Sequence, residues 1–101
     1  MAIIQKDKRI IKIVSVEYAL RAFTELKLNF DTENNNNKAV SGMAIKINNW
    51  IVNIANDTSQ SITAQASINK AIMFSEHKII QYNTLEDIFD KAKLLYDFFI
   101  K

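Results

Sequence analysis

The residues able to do chemistry are few. His77 is the single histidine, in the polar run Ser75-Glu76-His77-Lys78. A histidine oriented by a neighbouring acid is a general base in principle, but no nucleophile is placed beside it by sequence. There is no cysteine, which removes thiolate metal sites, disulfides and a cysteine nucleophile. Glu86, Asp87 and Asp90 cluster near the C-terminus, with Glu86 and Asp90 at i,i+4 spacing. That pair could hold a divalent cation weakly, yet acids there also suit the first turn of a helix. Gly42 is the only glycine, so no Gly-rich phosphate loop is available. No nucleophile elbow is present either. The expectation is a non-enzyme with no metal, no cofactor and no small-molecule substrate.

Two patterns point to binding instead. Lys6, Lys8, Arg9 and Lys12 fall within seven residues, offset only by Asp7. Such a cluster can sit on phosphates, with salt-dependent affinity. The second pattern is near the chain end. Leu85, Ile88, Phe89, Ala92, Leu95, Tyr96 and Phe99 form one helical stripe, while Leu94 and Phe98 fall on the opposite side. A helix apolar on two faces is sandwiched or makes an intermolecular contact.

The elements that must position these groups are read from periodicity. The chain has 101 residues, 49% hydrophobic, with formal charge +2. That is one ordinary domain, residues 1–101, and excludes disorder as the default. Residues 1–8 read as a flexible basic arm. No apolar signal segment follows them, and no run is long enough to span a membrane, so a cytoplasmic protein is expected. Arg9 to Val14 is β-branched and predicts a short strand. Ser15 then caps a helix whose stripe is Val16, Ala19, Leu20, Phe23 and Leu26. Residues 31–38, with Asn34 to Asn37, read as an exposed loop.

From about 42 to 83 the pattern predicts an antiparallel β-meander. Met43, Ile45 and Ile47 alternate, as do Trp50, Val52 and Ile54, with Asn48-Asn49 between them as a hairpin turn. The alternative is a mostly α protein with residues 39–56 helical, since Val40, Met43, Ala44, Ile47, Trp50, Ile51 and Ile54 also share a helical face. Ile62, Ala64, Ala66 and Ile68 alternate with Ser61, Thr63, Gln65 and Ser67, as in a half-buried strand. Asn69-Lys70 is expected to turn it. Thr84 caps the last helix, 85 onward. The expected fold is therefore α+β, with this long amphipathic helix packed on the sheet. The order of meander then helix is similar, at fold level and with no shared motif, to transcription-coactivator-like and Whirly-like single-strand binders.

The functional expectation is a protein-interaction module acting as an inhibitor, immunity protein or assembly subunit. It would occlude a partner surface through Leu94, Phe98 and Trp50, as a homodimer or on another protein. Eleven asparagines, 16 isoleucines and 11 lysines, against two arginines, are AT-rich codon usage. Such usage fits a phage or mobile-element origin. The alternative is a small nucleic-acid binder using Lys6, Lys8, Arg9 and Lys12 with aromatics on the sheet.

Overall fold

A computed structural model describes residues 3–101, and it consists of four helices: α1 (Gln5–Glu25), α2 (Glu33–Ile54), α3 (Thr58–Glu76) and α4 (Leu85–Phe99). No strand occurs among the described residues. The α+β expectation, with its sheet and meander, is therefore corrected to all-α, and the likeness to sheet-based single-strand binders goes with it. The alternative of a helix over 39–56 is the correct one for that stretch, although α2 ends at Ile54 and begins earlier, at Glu33, so the loop expected over 31–38 is helical from Glu33 onward.

Three of the four helix starts have a side-chain cap, α1 beginning after Ile4 without one. Thr32 accepts a hydrogen bond from the Asn35 amide at 3.1 Å, and Asp57 accepts one from the Gln60 amide at 2.8 Å. Thr84 and Asp87 form a reciprocal capping box, with both bonds at 3.2 Å. These caps satisfy amides that have no partner within the helix. With Thr32 as cap, Asn34 to Asn37 occupy the first turns of α2, where asparagine costs less than in a helix interior.

The ends of α1 and α3 depart from the sequence expectation. Asn48-Asn49 and Asn69-Lys70 do not turn the chain; they lie inside α2 and α3. Lysines take the left-handed positions instead: Lys27 at φ 57° and Lys78 at φ 61°. The Leu28 amide reaches back to the Phe23 carbonyl at 3.2 Å, and the Ile79 amide to that of Phe74 at 2.8 Å. This is the Schellman arrangement, usually built on glycine. A side chain there costs about 1 kcal/mol in backbone strain. The lysine charge beside the helix C-terminus offsets part of it.

Connections of seven residues or fewer make α1 and α2 an antiparallel pair, as they do α2 and α3. α1 and α3 then run parallel, and side chains lock them at both ends. The Thr58 hydroxyl donates to Asp7 at 2.7 Å at one end. At the other, Ser75 donates to Glu25 at 2.7 Å, and Arg21 forks onto Glu76 at 2.6 and 2.9 Å while reaching Asn69 at 2.6 Å. α4 packs mainly on α3. It touches α2 through Trp50 stacked on Phe89, ring centres 5.8 Å apart, and through Lys46 and Glu86 at 4.0 Å.

The core is built from large aliphatics and small residues together. Ile11, Ile47, Ile51, Ile68, Ile72 and Ile88 are fully buried, alongside Ala19, Ala22, Ala64, Ala71 and Ala92. Ser15, Ser61 and Ser67 are buried too. Their hydroxyls donate to carbonyls of their own helices, those of Ile11, Thr58 and Thr63, at 2.7 to 2.8 Å. A serine satisfied in this way is a small core residue rather than a polar one. Tyr82 is buried with its hydroxyl donating to the Ala71 carbonyl at 2.8 Å; burial pushes its pKa up to about 12.

The Arg21–Glu76 lock makes acid stability testable. Hydrogen bonds from Arg21 hold the Glu76 carboxyl below its ordinary value of 4.5, against a smaller opposing effect of burial. A depressed folded-state pKa contributes stability above the unfolded value and loses it as pH falls through the folded value. Wild type should therefore weaken below pH 4.5 by more than Glu76→Gln does. At neutral pH the variant should be less stable by about 1 kcal/mol, as for a well-formed but solvent-touched pair. Urea unfolding at a series of pH values checks this; parallel curves for the two proteins would refute it.

Candidate interaction surfaces

Leu94 and Phe98 lie on the outer side of α4, 66% and 69% exposed. Helical spacing sets this: Leu85, Ile88, Ala92 and Tyr96 are the buried face, and 94 and 98 project away from it. Phe99 and Ile100 are exposed beside them, and the rings of Phe98 and Phe99 are 6.0 Å apart. Lys93 and Asp97, 2.6 Å apart, border this patch along the helix.

Trp50 does not join it. Its ring is half-buried against Phe89, and Phe89 lies about 140° around α4 from Leu94 by helix geometry. Trp50 ties α2 to α4, whereas Leu94 and Phe98 touch neither of these seams.

The basic cluster is also rearranged. Of the expected arm, Met1 and Ala2 lie outside the described residues, and residues 5–8 are the first turn of α1. The expected strand over Arg9 to Val14 is a continuation of that helix. Helical spacing divides the cations. Lys8 and Lys12 line an open groove of about 460 Å³ with Ile3, Asn48, Val52, Ala55 and Asn56, while Lys6 and Arg9 project on a different side of α1. The aromatics expected on a sheet do not form a stacking platform. Tyr82 is buried, and Phe74 is half-buried under the Lys91 ammonium at 4.5 Å.

His77 is the exposed C-cap of α3, next to the Arg21–Glu76 pair. Asp87 is used in the α4 cap, and Glu86 faces Lys46. Among the described residues, no three His, Cys, Asp or Glu side chains gather as a metal site would need. No described helix is long and apolar enough to cross a membrane.

One surface was missed from the sequence. Ile10, Ile13, Val16 and Leu20 are exposed along α1, with Ile13 at 71%. The expected stripe had placed Val16 and Leu20 inward. The buried face is instead Ile11, Ser15, Tyr18, Ala19 and Ala22. α1 is thus apolar on two opposite sides, and a single-stripe reading averages them away. The signal was available in the 3-3-4 spacing of 10, 13, 16 and 20. Ile45 of α2 is also exposed and shares with Val16 a shallow, apolar groove of about 300 Å³.

No protein-family model matches the chain, and neither a curated protein nor a solved structure is significantly similar to it.

Proposed function

We propose that the protein is a non-catalytic interaction module that occludes a surface of a partner protein, working as a homodimer. The observation that carries this reading is the exposure of Leu94 and Phe98 on a helix whose opposite side packs on the core. Large apolar side chains grouped on a polar-rimmed surface are the usual mark of a protein contact. An aromatic at the centre of such a patch is the typical energetic anchor. Inhibitors, immunity proteins and assembly subunits act in this way.

The test uses a photo-crosslinking residue in place of Phe98, expressed in the native host. A discrete protein adduct is expected, of fixed mass, and lost when Leu94→Glu is added. Binding through an apolar face should change little between ~50 and ~200 mM salt, whereas phosphate contacts weaken steeply over that range. Recovery of nucleic acid alone, with that steep dependence and sensitivity to Lys8→Glu/Lys12→Glu, would replace this reading with the nucleic-acid one. The groove lined by Lys8 and Lys12 is the observation that keeps that second reading specific.

A further inference from the structure

Among the described residues nothing covers the outer face of α1, and its pattern of charge says what fits it. Arg9, Ile13 and Glu17 stand at i, i+4 and i+8, so they form one ridge along the exposed side of the helix. Ile10, Val16 and Leu20 flank that ridge. Arg9 and Glu17 are both exposed, and neither has an ion-pair partner among the described residues. The ridge reads positive, apolar, negative about Ile13: a cation four residues before it, an anion four residues after. Such a sequence is complementary to itself when reversed. A two-fold axis through Ile13 brings Arg9 of each copy beside the partner's Glu17, Ile13 against its equivalent, and Ile10 against the partner's Val16. This is the isologous contact that a symmetric dimer requires.

We propose that the occupant of this face is a second copy of the chain, crossing antiparallel at Ile13. The inference rests on the interaction-module reading and assigns its dimer seam to α1, leaving Leu94 and Phe98 for the target protein. Area supports it. The protein exposes 6376 Å², against roughly 5,800 Å² for a compact monomer of its mass. The α1 face with Ile45 beside it is about 30 Å long and two helices, about 20 Å, wide. That is the order of the ~800 Å² per partner in a standard interface. A lipid surface fits less well, because Glu17 sits on the ridge and would meet anionic headgroups.

Light scattering and sedimentation velocity on the full chain test the proposal. Wild type is expected to be a dimer, and Ile13→Glu a monomer with unchanged helical circular dichroism, since Ile13 is exposed and lies outside the core cluster. Arg9→Glu and Glu17→Arg should each weaken dimerisation on the order of tenfold, because two symmetric pairs become repulsive. The double variant Arg9→Glu/Glu17→Arg should restore it, and Leu94→Glu/Phe98→Glu should remain dimeric. A monomeric wild type would overturn the proposal, as would a double variant no better than the singles. A dimer broken only by the α4 substitutions would move the seam to α4. Ile13-dependent binding of a monomer to phosphatidylglycerol vesicles would assign the face to lipid. In each of these cases the Phe98 crosslink still scores the interaction-module reading separately.

Discussion

Ile68→Ala is expected to lower stability by about 3 kcal/mol, near the middle of the range for truncating a buried isoleucine. Ile68 is fully buried on α3, the helix in contact with all three others. The lost side chain leaves a cavity that cannot collapse easily, because its neighbours belong to several helices held by their own contacts. A domain of this size has only about 5–15 kcal/mol to lose. The melting temperature should fall by about 15 °C at this chain length. Chemical denaturation checks the figure. A loss below ~1 kcal/mol would mean that the site relaxes or that α3 is not central.

The second large effect is the reverse change, Ala19→Leu. Ala19 is fully buried on the inner face of α1, one residue before exposed Leu20. Added methylenes at a position with no exposed surface must displace packed neighbours, and the cost should be about 2–3 kcal/mol. The neighbouring change Leu20→Ala, measured at low protein concentration, should shift stability by no more than ~0.5 kcal/mol. The pair fixes the rotational phase of α1. Comparable losses at both positions would return Leu20 to the core, as the sequence pattern alone would have it.

That contrast shows where the sequence was legible. α4 could be read almost completely: Thr84 caps it, its stripe is buried or half-buried as far as Tyr96, with only Phe99 exposed, and Leu94 and Phe98 lie where helical spacing puts them. α4 has one core-facing stripe and strong end signals, so local pattern and tertiary packing agree. α3 misled for a definite reason. Ser61 and Ser67 read as outward polar residues, which turns a helical stripe into an alternation, and Ser75 reads as part of a polar run. Their hydroxyls are satisfied by a helix carbonyl or, for Ser75, by Glu25, so they pack inward with Ala64, Ile68, Ala71 and Ile72. α2 misled through its asparagines, which are poor helix formers individually. Tertiary burial of Met43, Ala44, Ile47 and Ile51 outweighs that preference. The β-branched run at Arg9 to Val14 reads as a strand because both sides of α1 are apolar there. No helical periodicity is visible until the two sides are separated.

The pairing of α1 with α3 has a kinetic consequence. α1 with α2, and α3 with α4, are hairpins closed by short connections, and such local contacts form early and fast. The ties between α1 and α3 are of another kind: Asp7 to Thr58, Arg21 to Glu76 and Glu25 to Ser75 each join residues about fifty positions apart. Bringing these together carries the loop-closure entropy of half the chain. Docking of one hairpin on the other is therefore the step expected to set the folding rate. Core substitutions at that seam should slow folding, while substitutions inside a single hairpin act chiefly on the rate of unfolding.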